Sequence, residues 1–138
     1  MVIRPYKKDD FLKVLNFDNN PSNRRQAKLK SLDLDTYYCY VAEDAGNIYG
    51  FVFMEDLFDG NHYMVQINTN PKRCHLGTIL VHNVFKHIGI GHINLCVNID
   101  NLPAIAFYES LGFHRSGYTA NYRKGQDKFW YNKEINND

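Results

Sequence analysis

Apolar residues recur along this chain with two periods, and the switches between the periods divide it into elements. Residues 2–5 form a short extended run closed by Pro5, which has no N–H to give a ladder. Over 8–17, Phe11, Leu12, Val14, Leu15 and Phe17 supply one apolar helical face. Asp18-Asn19-Asn20-Pro21 is turn chemistry, and 22–32 predicts a second, basic helix carrying Arg24, Arg25, Lys28 and Lys30. Period two then takes over. Residues 37–42 and 48–55 read as a hairpin around Ala45-Gly46-Asn47, with Tyr49, Phe51 and Phe53 alternating against Gly50, Val52 and Met54. After a loop over 56–60, residues 62–69 form a further strand that alternates only in part, and Asn70-Pro71 breaks it.

Residues 74–88 predict a helix with Leu76, Ile79, Leu80, Val84 and Ile88 at spacings of three and four, ended by Gly89 and Gly91. Ile93, Leu95 and Val97 mark a buried strand over 92–98. The stretch 101–113, NLPAIAFYESLGF, is a short helix with both ends marked. Asn101 is a suitable N-cap, Pro103 sits in the first turn where its missing N–H costs nothing, and Gly112 suits a left-handed C-terminal cap. Its composition is so apolar that it should be covered on most sides. Tyr108 is conspicuous there, because a buried phenol needs a partner or a task. Residues 113–122 and 127–134 close the chain as a hairpin around Lys124-Gly125, with a frayed tail over 135–138. The order β-α-α-β-β-β-α-β-α-β-β predicts an α/β (α+β) single domain over 1–138: a mixed, mainly antiparallel central sheet with about four helices on its two faces.

Composition narrows the function classes. The 138 residues suffice for one real core, being 44% hydrophobic and 22% charged, with aromatics at 14%. A net charge of +1 gives no global attraction to nucleic acid or membrane. No apolar run reaches the ~18 residues of a membrane span, and the first ten residues lack the apolar centre of a signal peptide. Cys39, Cys74 and Cys96 are odd in number and far apart, which argues for a reducing, cytoplasmic setting and against a disulfide or zinc framework. The histidines, including His82, His87 and His92, give no ligand spacing, so no metal is expected.

The segment 97–113 resembles the signature of the GNAT superfamily of N-acetyltransferases, V-x-x-x-N-x-x-A-I-x-[LF]-Y-x-x-x-G-F. Val97, Asn101, Ala104, Ile105, Phe107, Tyr108, Gly112 and Phe113 all fall on it, and the element order is also that of the GNAT fold. The resemblance implies acetyl-CoA as acyl donor and a primary amine, of a small molecule or of a protein or peptide, as acceptor. It also implies a coenzyme site. The family pattern [QR]-x-x-G-x-[GA] binds the diphosphate at a helix N-terminus, where free amides favour an anion. Here it aligns with Cys74, His75, Leu76, Gly77, Thr78 and Ile79. Gly77 matches; Cys74 and Ile79 depart from the pattern, and Lys72 and Arg73 lie just upstream as alternative cations. Ile79 either crowds the ligand or faces the core with Leu76 and Leu80. Backbone groups at Gln66, Ile67, Asn68 and Thr69 correspond to those that pair with the pantetheine arm, and Asn101 to a residue that contacts it.

By the same resemblance Tyr108 corresponds to the general acid at the thioester sulfur, and the 66–69 strand splays from the one carrying Leu95 and Val97. For the general base, Glu55 is the first candidate, ahead of Asp56, His62 and His75; each taken singly reads more readily as an ordinary surface charge or exposed histidine. Asn121-Tyr122 and Trp130-Tyr131 could line a substrate pocket or simply pack the sheet. The departures at Cys74, His75 and Ile79 leave open an alternative: a GNAT-fold binding or regulatory protein without catalysis. The basic helix at 24–30 could serve a nucleic-acid adaptor, against which the neutral charge speaks. The acceptor and the choice between monomer and homodimer are not written in the sequence.

Overall fold

A computed structural model describes residues 1–17, 27, 29, 30, 36–70 and 75–136. The strands are β1 (Val2–Pro5), β2 (Tyr37–Asp44), β3 (Asn47–Asp56), β4 (Asn61–Thr69), β5 (Ile90–Asn98), β6 (His114–Arg123) and β7 (Gln126–Asn136). They form a single seven-stranded sheet in the order β1-β2-β3-β4-β5-β7-β6. Every pairing is antiparallel except the central one, β4 with β5. Three α-helices are described: α1 (Phe11–Phe17), α2 (Leu76–Ile88) and α3 (Leu102–Ser110). The expected count of about four is one higher. The helix expected over 22–32 lies outside the described residues except for Ala27, Leu29 and Lys30, which are helical. The turn at 18–21 and residues 71–74, with Lys72, Arg73 and Cys74, also lie outside them.

Alternation in β2 and β3 sorts side chains between two cores. Cys39, Val41, Phe51 and Phe53 face one side with Tyr6, Val14 of α1 and Leu29. Ala42, Val52 and Met54 face the other, with Leu76, Leu80, Val81 and Val84 of α2. Both faces of the central strands are therefore covered, as near-continuous apolar runs require. Strand β1 is tied to the start of the first helical segment by Arg4, whose two Nη groups donate to Asp10 at 2.8 and 2.9 Å. Asp10 also accepts from the Lys7 backbone N–H at 2.7 Å. The Arg4 hydrogen bond holds the Asp10 carboxyl below its ordinary range.

Strand β4 alternates only in part because it carries a bulge. Met54 pairs with Met64 and the preceding Phe53 with Gln66, so Val65 is an extra residue. Val65 accordingly packs toward the α1 side and Ile67 toward the α2 side.

Three sequence expectations are corrected. The 135–138 tail is not frayed at its start: Ile135 is 2% exposed and pairs with Gly91, because β7 continues to Asn136. Helix α3 is not covered on most sides. Ile105 alone is buried and Leu102 is 68% exposed; the apolar composition of α3 serves a cleft as well as the core. Ile79 leaves the stripe of α2, whose buried residues are Leu76, Leu80, Val81, Val84 and Phe85.

Candidate active site

Strands β4 and β5 pair over only three positions, Asn61 to His92, His62 to Ile93 and Tyr63 to Asn94. Beyond them β4 stays bonded to β3 as far as Thr69, and β5 to β7 as far as Asn98. The two strands have parted, and an edge of each faces the gap. A parted sheet leaves backbone donors and acceptors that need an occupant. The gap opens a cleft of about 1040 Å³.

Most of the expected coenzyme residues meet there. Ile67, Asn68 and Thr69 line one wall, His75, Leu76, Gly77 and Thr78 the start of α2, and Asn101 and Tyr108 the α3 side. Glu55 lines the cleft from β3. Ile79 does not: it is 48% exposed outside the cleft, so it neither crowds a ligand nor faces the core. Arg73 and Cys74 lie outside the described residues. His75 holds the N-cap position of α2 with φ 65°, a left-handed conformation, and its side chain makes no capping bond. The first amides of α2 are thus left without a side-chain cap from the N-cap residue, as a helix-terminal anion site requires. Gly77 is needed for packing as well: a Cβ there would lie 3.1 Å from Phe107 Cζ.

The α3 helix is held as its sequence predicts. Asn101 Oδ1 accepts from the Ala104 N–H at 3.3 Å, and Gly112 takes φ 92°. Between these caps the Tyr108 ring packs on Phe107 and Phe113 at centroid distances of 5.4 and 5.8 Å. Its hydroxyl has no hydrogen-bond partner among the described residues. Burial pushes the phenol up to about 12, with the nearby Cys96 thiol adding to the shift. A phenol so placed keeps its proton through the neutral range.

Of the other candidate bases His75 lines the cleft, and the remaining two lie elsewhere. His62 is 7% exposed on the α2 side of the sheet, with its Nδ1 2.8 Å from Tyr38 OH. Asp56 accepts from the Phe58 N–H at 2.8 Å and does not line the cleft. In the last hairpin Tyr122 lines the cleft, and Trp130 packs on Tyr63 and Tyr122. Tyr131 is instead a core residue whose hydroxyl donates to Glu109 at 2.9 Å.

Several lining residues were not singled out from the sequence: Tyr37, Tyr63, Cys96, Asn98 and Lys128. Tyr63 OH and Cys96 Sγ lie 3.3 Å apart across the last β4–β5 pairing, and burial raises the Tyr63 phenol. Asn98 Oδ1 is buried with no partner among the described residues. It is an acceptor in want of a ligand N–H, as a pantetheine amide would supply. The signal was there: in β5 the polar residues Asn94, Cys96 and Asn98 alternate with Ile93, Leu95 and Val97, so the polar side of the strand faces away from the core.

Residues 35–115 match the acetyltransferase (GNAT) domain family. No curated protein gives a significant sequence match. The fold is similar to that of the ribosomal-protein-S18-alanine N-acetyltransferase from Escherichia coli, with TM-score 0.84, 21% identity and coverage of 99% of this chain and 95% of the other. An aminoglycoside 6'-N-acetyltransferase complexed with coenzyme A gives TM-score 0.78 at 18% identity, covering 98% and 97%. A putative acetyltransferase from Salmonella typhimurium with its cofactor acetyl-CoA gives 0.76 at 17%, covering 100% and 95%. Because the acetyltransferase (GNAT) domain family matches more than half of its residues, this chain belongs to the GNAT acetyltransferase family.

Proposed function

We propose that the protein transfers an acetyl group from acetyl-CoA to a primary amine by direct attack on the thioester. The observation that carries this reading is the parting of β4 from β5 beyond Tyr63 and Asn94, with the start of α2 at one end of the cleft and Tyr108 beside it. Acetyl-CoA supplies an activated acetyl group and a thiol leaving group. The chain supplies the rest. Edge amides and carbonyls from Ile67 to Thr69, with the Asn98 amide, hold the pantetheine arm, and the free N–H groups at His75–Thr78 hold the phosphates. The Val65 bulge turns the following backbone toward the gap, where an N–H stabilises the oxyanion.

Tyr108 holds a proton at its hydroxyl for the departing sulfur. Glu55 takes the proton of the amine, directly or through one water. Holding the two reactants in line contributes about 7–11 kcal/mol of barrier lowering by itself. The outward position of Ile79 removes one ground for a closed, inactive cleft.

The test is calorimetric titration with acetyl-CoA and with free CoA, followed by thiol release over a panel of primary amines. Saturable micromolar binding and amine-dependent thiol release are expected. Absence of binding up to millimolar concentration would overturn the proposal.

A further inference from the structure

We infer that the acceptor is an amine that carries its own anionic group some residues away, as a short peptide with a free C-terminal carboxylate does. The inference rests on the acetyltransferase reading and names the substrate class of that same cleft. Its ground is the placement of charge. Among the described lining residues there is one carboxylate, Glu55, and there are two fixed cations, Arg123 and Lys128.

Register separates these groups. Glu55 pairs with Tyr37 on one side and Tyr63 on the other, so its side chain leaves the sheet on the same face as two tyrosines of neighbouring strands. A carboxylate framed by aromatic rings is a site for an ammonium group. Lys128 pairs with Asn98, and Arg123 with Gln126 at the tip of the β6–β7 hairpin. Lys128 is half-buried with its Nζ 5.6 Å from the centre of the Tyr122 ring. Neither cation is paired with a carboxylate among the described residues. Lys128 has an aromatic ring but no carboxylate beside it, so an anion on the ligand would give this ammonium its counter-charge.

Glu55 and Lys128 stand three strands apart, about 14 Å across the sheet at ~4.8 Å per strand, and about 13 Å along it by the step from Asn94 to Asn98 at ~3.3 Å per residue, roughly 20 Å in all. Two long side chains reaching toward each other shorten that to roughly the length of an extended tripeptide. The same charges oppose a polycation, whose further ammonium groups would meet Arg123 and Lys128. Both cations stand on the far side of β5 from β4, away from the helix terminus that suits the coenzyme phosphates.

The test compares kcat/KM for matched pairs: glycylglycylphenylalanine and alanylglycylphenylalanine, each with its C-terminal amide. Spermidine serves as the polycation. The free acids should exceed their neutral partners by about tenfold or more, equivalent to ~1.4 kcal/mol. Lys128→Met and Arg123→Met should collapse that ratio while leaving the Kd for acetyl-CoA unchanged, and Lys128→Arg should retain it. Equal use of amide and acid, preference for spermidine, or no turnover of any acid by a protein that binds acetyl-CoA would each overturn the inference. So would a Lys128→Met variant that loses acetyl-CoA affinity and keeps the ratio, since the cation would then serve the coenzyme. Failure of acetyl-CoA to bind at all would remove the acetyltransferase reading itself, and this inference with it.

Discussion

Gly77 presents its bare Cα to the ring of Phe107: a methyl group there would lie 3.1 Å from Phe107 Cζ. The contact joins the first turn of α2 to α3 beside the cleft. Phe107 is itself packed on Tyr108 and the core, so it has little room to withdraw. Gly77→Ala should therefore cost about 1–2 kcal/mol of stability by overpacking and weaken acetyl-CoA binding. Phe107→Leu in the same chain should restore part of both. Urea unfolding and calorimetry of the two single variants and the double variant check this, and simple additivity would remove the contact as the cause.

Tyr108→Phe should lower kcat by about 10²-fold with the Kd for acetyl-CoA kept, as loss of a general acid does. Because burial pushes this phenol up to about 12, no loss of activity attributable to its deprotonation is expected below pH ~10. Steady-state rates across pH 6 to 10 decide it; an unchanged kcat would take Tyr108 out of the reaction.

Glu55→Gln should lower kcat/KM most at low pH, where the acceptor amine is protonated and its proton must be removed. At a pH above the amine's own pKa the defect should shrink. A defect that stays constant across the profile would take Glu55 out of the proton transfer.

His62 is buried, and burial lowers its pKa below the ordinary 6.5. Asp56 acts in the opposite direction and His87 in the same one. The neutral ring can accept from the Tyr38 hydroxyl. The unfolded chain binds this proton more readily than the folded one, so stability is full above pH ~6.5 and falls as the pH drops toward the folded value. The urea midpoint at pH 5.5 should lie below that at pH 7.5, and His62→Gln should narrow the difference.

Removing the buried Asp10 carboxylate leaves the Lys7 N–H without its acceptor and the Arg4 guanidinium with Glu43 and the Pro5 carbonyl alone. Asp10→Ala should cost about 1.5–3 kcal/mol in urea unfolding, the range for hydrogen bonds to a charged group. The folded pKa of Asp10 is depressed, so its contribution is present above pH ~4 and lost as the pH falls further.

The fold was legible because its signals are local. Caps at Asn101 and Gly112 and alternation in β2 and β3 each act within a few residues. The β4–β5 parting was legible only through family resemblance, since nothing in the letters of 61–69 says which neighbour lets go. The partial alternation of that strand was visible, but its cause, an extra residue at Val65, needs the register with β3. Tyr63, Cys96 and Lys128 join the cleft from three strands far apart in sequence, and only the strand order brings them together. Ile79 was misplaced because a residue one position off a helical stripe keeps an apolar spacing while pointing outward.

The three-pair seam between β4 and β5 has a mechanical consequence. On either side of it the sheet is firmly knit, β3 to β4 over seven register pairs and β5 to β7 over nine. The two sides are plates that share three backbone pairs and, over them, one apolar core in which Val52, Met54 and Met64 meet Ile93, Leu95 and Tyr131. Glu55 belongs to one plate and Lys128 to the other, so that shared core, and not the backbone seam alone, sets how far apart the two charges stand.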